Sequence, residues 1–390
     1  MKKSLLFILL IFSFSKSINA QAHVSVYSEI SIVTAGPGTE LYEAFGHSAI
    51  RLKDPVLNID LIYNYGIFDF KAPNFYTNFA KGYMLYSLAR YDFKYFLASY
   101  KKDKRWLKQQ VLNLTHKEKQ AFFMYLENNA LPENKNYLYD PYFDNCATKL
   151  KEITKTILKD KVSFNEDYEN LGLSFRDLTN KEIYWNTWGS FGLNLIAGIK
   201  LDKKATSEEY LFLPDYIYDV FKNATINNEN TKEKLVKRED ILLNFKESKP
   251  KFSIFNPLIV ISFISFIGLF ITYNDYKKKK RSKYLDFTLF FISGIIGCIL
   301  FFFWFFSSHT TAPHNYNILW AFPLNLFVGF VIIKNNIPKW ALTYTKFLVL
   351  LLLCIPFLWI LKIQVYPIAL LPLFVLYLFR YFILSKSLIK

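Results

Sequence analysis

Cysteine is scarce. The 390 residues hold three, Cys146, Cys298 and Cys354, and the last two lie inside long apolar runs. A disulfide framework needs paired cysteines, so none is expected. Histidine is also rare, with five residues. The outer-loop pair in Ser307-Ser-His-Thr-Thr-Ala-Pro-His-Asn-Tyr-Asn317 has no third ligand of the usual type nearby, so no metal and no cofactor is expected. The glycine turn Ala35-Gly-Pro-Gly-Thr39 lacks the Lys-Ser/Thr of a phosphate loop. The formal net charge is +16. No basic stretch with interleaved aromatics sits on a recognisable nucleic-acid module, so nucleic acid is not an expected partner.

What is abundant is hydrocarbon, and it is unevenly spread. Residues 254–384 are dominated by apolar runs, which predict about five membrane spans near 254–273, 285–306, 318–333, 341–361 and 365–384; a count of four also fits the shorter, proline-broken last three. Lys277-Lys-Lys-Lys-Arg-Ser-Lys283 marks a cytoplasmic loop. The start reads as a secretory signal: Lys2 and Lys3, an apolar run, then Ser17-Ile-Asn-Ala20 before Gln21. Both signals place the polar part of the chain outside. The expected organisation is a signal peptide at 1–20, an exported domain at 21–225, a linker at 226–253 and a membrane domain at 254–390. The expected location is the inner (cytoplasmic) membrane, multi-pass, with the N-terminal domain in the periplasm.

A single thiol in an exported domain is either a small buried hydrophobe or a nucleophile. Its setting favours the nucleophile. In Tyr142-Phe-Asp-Asn-Cys-Ala-Thr-Lys-Leu150 the cysteine follows two N-cap residue types and opens an amphipathic run. Backbone N–H groups and the helix dipole at such a position favour thiolate over thiol. A thiolate nucleophile needs a histidine that reaches it across the fold. His47 follows a glycine and precedes a predicted strand, 48–53. His23 lies beside the cleavage site, and His116 lies in the capping box Thr115-His-Lys-Glu118. In the predicted strand 59–65, period two puts Asp60, Ile62 and Asn64 on one face, so Asp60 and Asn64 are both candidates to orient the His47 ring. The expected catalytic set is Cys146, His47 and Asn64. Ser48 and Asn145, beside the pair, and His309, in the outer loop, are the expected substrate contacts, although a plain polar loop accounts for His309 as well.

Gly36-Pro-Gly38, Phe45-Gly-His-Ser-Ala-Ile-Arg51, Tyr63-Asn-Tyr-Gly66, Phe68-Asp-Phe70 and Asp144-Asn-Cys-Ala-Thr148, occurring in this order, resemble the exported domain of Lnb-type lipoprotein N-acyltransferases. Phe175-Arg-Asp177, Asp202 and Phe212-Leu-Pro214 resemble its later part. The resemblance covers roughly 25–220, and the multi-span tail is similar in layout. It implies an α+β fold, a circularly permuted NlpC/P60 papain-like domain in which His precedes Cys, followed by an all-α membrane domain. It also implies that Cys146 accepts an acyl chain from a phospholipid and passes it to a lipoprotein's N-terminal amine, with His47 as base. The third member is left open by the resemblance. The phospholipid donor, the lipoprotein and the membrane are the implied partners. An envelope cysteine amidase or peptidase acting on cell-wall peptides, and a non-catalytic membrane scaffold, are the competing expectations.

Overall fold

The alternation in the first hundred residues closes into a sheet. The computed structural model describes residues 23–168, 171–228, 231–247 and 252–386; the expected signal peptide at 1–20 lies outside them. The strands are β1 (Glu29–Ala35), β2 (His47–Asp54), β3 (Ile59–Ile67), β4 (Leu85–Asp92), β5 (Leu107–Leu112), β6 (Asn136–Leu138), β7 (Val162–Ser163), β8 (Thr225–Asn228), β9 (Thr231–Lys234) and β10 (Val236–Leu243). Strands β7, β8 and β9 pair among themselves. The other seven form one antiparallel sheet in the order β10-β5-β1-β2-β3-β4-β6.

Seven helices accompany the sheet: α1 (Phe75–Ala80), α2 (Phe93–Lys102), α3 (His116–Asn129), α4 (Cys146–Leu158), α5 (Phe175–Glu182), α6 (Trp188–Ile196) and α7 (Pro214–Asn223). Side chains alternate across each strand, so the sheet has two apolar faces. Leu61, Tyr63 and Tyr65 point to one, where Phe122 and Leu126 of α3, Leu150 and Ile153 of α4, and Ile217 and Phe221 of α7 complete the core. Ile62, Val33 and Ala49 point to the other, against Phe93 and Phe96 of α2. The capping box expected at Thr115 forms, with Thr115 Oγ1 accepting from Glu118 N–H.

One expectation needs correction. The stretch expected as a linker, 226–253, carries β10, which pairs with β5 from Val236↔Leu112 to Leu243↔Leu107. Gln109 and Gln110 of β5 donate side-chain bonds to Asp240 and Glu239 across this pairing. β10 is an edge strand whose middle is solvent-exposed, and its charges hide the period-two signal.

The spans follow the expectation of about five segments, four of them regular helices. The membrane domain consists of α8 (Pro257–Lys278), α9 (Lys283–Phe305), α10 (Asn325–Ile332), α11 (Lys339–Ile360) and α12 (Leu371–Ser385). Among the described residues four segments are long and apolar enough to cross a membrane: Pro257–Lys278, Lys283–Phe305, Lys339–Ile360 and Ile368–Ser385. The third expected span is instead a 3-10 turn (Tyr316–Leu319), an irregular stretch and the two-turn α10. Its two ends still lie at opposite ends of the bundle. Tyr316 N–H donates to Gln364 in the α11–α12 loop (2.7 Å), and Arg281 of the α8–α9 loop donates to the carbonyls of Ile332 (2.9 Å) and Lys334. Non-helical backbone is tolerated at membrane depth only where protein surrounds it. Here Trp320 and Ala321 are buried, and Gly294 and Gly297 of α9 let the backbone of Leu326 and Ala321 lie directly against that helix. At the opposite end from the sheet domain, buried Arg380 of α12 bridges Asp286 (2.5 Å) and Asp275 (2.7 Å).

The loop at 307–317 fastens one domain to the other. Ser308 N–H donates to Lys81 O, Gly198 N–H donates to Thr311 O, and Asn315 Nδ2 donates to the carbonyls of Leu195 and Ile196 at the end of α6. A Cβ at Gly198 would sit 2.0 Å from Pro313 O, so only glycine permits this approach. Buried Asp202 adds a second tie: it holds Arg176 through two bonds (2.7 and 3.0 Å) and accepts from Val365 N–H in the α11–α12 loop (3.1 Å).

Candidate functional site

The site is built on the first turn of α4. Asn145 is its N-cap: Oδ1 accepts from the N–H groups of Ala147 (2.8 Å) and Thr148 (3.0 Å), and Thr148 Oγ1 accepts from Asn145 N–H. This reciprocal cap satisfies donors that a helix start leaves open. Asn145 Nδ2 donates to Pro141 O and Phe212 O, which ties the turn to the loop before α7. Cys146 is therefore the first helical residue, held in the positive end of the helix dipole. It is buried, with 8% of its surface exposed.

His47 opens β2. The ladder between β2 and β3 stops at Ile50↔Tyr63, so side chains connect the strands beyond it. His47 Nε2–H donates to Asn64 Oδ1 at 2.6 Å, and Asn64 Nδ2 donates to Tyr91 Oη at 3.0 Å. With Nε2 engaged, Nδ1 is the nitrogen left for the sulfur, and the imidazole lies near enough to Cys146 for the two charges to interact. Asp60, the competing candidate on the same strand face, is held elsewhere: Arg51 grips both its oxygens at 2.7 Å. Asn64 is the residue that meets the ring.

Electrostatics follow from the pairing. Burial by itself pushes the Cys146 thiol up. The facing His47 charge, the hydrogen bond from its ring and the N–H groups of Ser48 and Cys146 outweigh it and hold the thiol below its ordinary range. Burial likewise pushes His47 down, but the Cys146 charge and the bonds to Cys146 and Asn64 raise it above the ordinary imidazole value. Both shifts favour the charged forms, thiolate at Cys146 and imidazolium at His47.

The three expected substrate contacts occupy other roles in this geometry. The Ser48 side chain is fully buried, and its backbone N–H rather than its hydroxyl faces the sulfur. Both polar atoms of the Asn145 side chain are used by the helix start and the Phe212 loop. His309 Nε2 bonds Phe79 O (2.8 Å), its ring lies against Phe79 and Phe303, and burial holds its pKa below the usual imidazole value. It joins the membrane loop to α1. His116 bonds Val24 O (2.8 Å), away from the thiol. Sequence reasoning missed the tyrosines. Tyr91 orients Asn64. Tyr137 and Tyr139, on the same face of the β6 edge, have pKa values raised by burial and then by the nearby charge of Cys146, and the buried Tyr137 hydroxyl has no hydrogen-bond partner among the described residues. Only the period-two spacing of Tyr137 and Tyr139 hinted at a shared face, and nothing singled them out among 27 tyrosines.

Two family descriptions match the sequence. Residues 17–180 match the Lnb N-terminal periplasmic domain, and residues 248–390 match the Lnb transmembrane domain. The chain belongs to the Lnb family. The Lnb periplasmic match contains His47, Asn64 and Cys146 and ends within α5, and the Lnb transmembrane match contains all five helices from α8 to α12. The chain is thus an Lnb-type membrane protein with a periplasmic domain. No curated protein and no solved structure matches it.

Proposed function

We propose that the chain is a thiol-dependent acyltransferase that carries an acyl chain from a phospholipid to the N-terminal amine of a lipoprotein through a thioester on Cys146. The observation that carries this reading is the buried Cys146–His47 pair, oriented by Asn64, in a periplasmic domain fastened to a membrane bundle. The cysteine helix on an antiparallel sheet, with histidine ahead of cysteine in the chain, also supports a permuted papain-like arrangement of NlpC/P60 type.

The thiolate attacks the donor's ester carbonyl and forms a carbon–sulfur bond. The oxyanion is met by the Cys146 N–H and by the Tyr137 hydroxyl, a buried donor without a partner among the described residues whose charge state responds to Cys146. As the carbon–oxygen bond breaks, His47 gives its proton to the leaving alkoxide, and a lysophospholipid departs. The lipoprotein amine then attacks the thioester. His47, now neutral, takes the amine's proton, the carbon–sulfur bond breaks, and the thiolate–imidazolium pair returns with an amide as product.

The test is mass spectrometry of lipoprotein N-termini from cells that lack their own N-acyltransferase, supplied with this chain or its Cys146→Ala form. A third acyl chain that requires Cys146 is expected. Diacyl termini with both proteins present in the membrane would overturn the proposal and turn attention to cell-wall peptides.

A further inference from the structure

A groove of about 510 Å³ lies where the domains meet, between the end of α1 and helices α9 and α10. Ala80, Ile295, Cys298, Ile299, Phe303 and Leu326 line it. No charged residue takes part. Ile295 and Ile299 remain exposed on the bundle surface, so the groove opens toward surrounding lipid. Its volume falls within the usual range for small-ligand sites, about 300–1,000 Å³. Its depth is also telling. Phe303 lies near the periplasmic end of α9 and Ile295 lies eight residues deeper, about 12 Å at 1.5 Å per residue. One leaflet of a roughly 30 Å hydrocarbon core has nearly that depth.

The groove does not contain Cys146, but a strip of aromatic rings leads from one to the other. Phe303 and Phe79 flank the His309 ring at centroid distances of 5.4 and 5.9 Å. Phe79 stacks on Phe75 (6.2 Å), Phe75 on Phe68 (5.9 Å), Phe68 lies on Tyr86 (4.9 Å), and Tyr86 stacks on Tyr139 (4.7 Å). Tyr139, the last ring of the strip, lies near enough to Cys146 for the two charges to interact. The rim is partly exposed: Phe70 and Phe79 keep 49% and 46% of their surface in contact with solvent or lipid. Packing against the fold alone does not require a run of large rings with this much open surface.

We propose that the groove is the entry berth for one acyl chain of a membrane phospholipid, and that the aromatic strip is the path along which its ester end reaches Cys146. This rests on the acyl-transfer function proposed above. Hydrocarbon is the occupant because the lining offers no polar partner and the opening faces lipid at the depth of a single leaflet. The strip then keeps the chain out of water while its carbonyl rises to the thiolate, so the apolar cost of leaving the bilayer is met by ring contacts.

The experiment uses the full chain in phosphatidylethanolamine vesicles that carry a donor with a mid-chain diazirine. Photolysis followed by peptide mapping is expected to place crosslinks on the segments holding Ala80, Ile299 and Leu326. Ile299→Trp, at a lipid-exposed position that leaves the bundle core intact, is expected to remove most of that crosslinking. The same variant is expected to raise KM for the phospholipid about tenfold, the loss of burial for roughly two methylenes. Acylation of Cys146 by a short, water-soluble ester is expected to be unchanged in it. Crosslinks that map elsewhere, or an Ile299→Trp protein with unaltered KM, would overturn the berth while leaving acyl transfer intact. Groove crosslinks in a chain that no ester acylates would uphold lipid binding at this groove and overturn both the transfer function and the delivery path.

Discussion

A buried thiol ionises less readily than a free one, so Cys146 depends on His47 for its charge. Its lowered pKa means that thiolate persists as pH falls below the ordinary thiol value, near 8.5, and is lost only at the folded value. The raised pKa of His47 means that imidazolium persists above the ordinary value near 6.5 and is lost as pH rises through its folded value. Alkylation of Cys146 by iodoacetamide, read by mass spectrometry on its own peptide, is therefore expected to remain fast below pH 8. In His47→Ala burial is opposed only by the N–H groups of Ser48 and Cys146, and the midpoint should move up. A midpoint that stays low without the imidazole would contradict the pairing. Asn64→Ala removes a hydrogen bond worth about 0.5–1.5 kcal/mol, so acyl transfer should fall roughly two- to tenfold, whereas Asp60→Asn should leave it near wild type. Much of this site was legible. Cys146 stood out because it is the one cysteine outside the apolar runs, and period two put Asn64 and Asp60 on one face. What separates the two is the Arg51 guanidinium, which occupies Asp60. Tyr91, Tyr137 and Tyr139 were not legible, because their roles arise from strand pairings far apart in sequence.

At the scale of elements, the cysteine helix owes its start to one residue. Asn145→Ala removes the cap and leaves Phe212 O without its side-chain donor. Hydrogen exchange at the first amides of α4 should then show opening that is easier by about 1 kcal/mol. Leu150, fully buried between α4 and the sheet, supplies the contrast. Leu150→Ala should lower the domain's stability by about 2–5 kcal/mol, visible as a lower melting temperature in detergent, while Cys146 in the surviving folded protein keeps its alkylation profile. Caps, strands β2 and β3, and the long spans announced themselves through local chemistry. Strand β10 did not, since an exposed edge carries charges where a buried strand carries alternation. The passage through α10 did not either. Its irregular backbone is permitted by Gly294 and Gly297 on another helix, and hydropathy along the segment itself does not report that.

For the whole molecule, the decisive contacts run between domains. Asp202 belongs to the sheet domain yet accepts from Val365 of the membrane domain while neutralising buried Arg176. Asp202→Ala leaves a buried guanidinium uncompensated, at a cost of about 3–5 kcal/mol. Limited proteolysis should then cut the segments near 198 and 364 that resist cleavage in the parent protein; equal resistance would show that the tie is dispensable. Charge asymmetry gave the orientation of the chain, through the basic loop at 277–283, but the fastening of the loop at 307–317 to α1 and α6 comes from bonds that no local pattern encodes. That fastening has a kinetic consequence. In the proposed transfer, a thiolate clamped at a fixed height above the bilayer meets lipid-anchored partners by diffusion in a plane, so encounter depends on how crowded the surface is with substrate. At constant bulk concentration, inert lipid added to the vesicles should slow turnover in proportion to the area it adds.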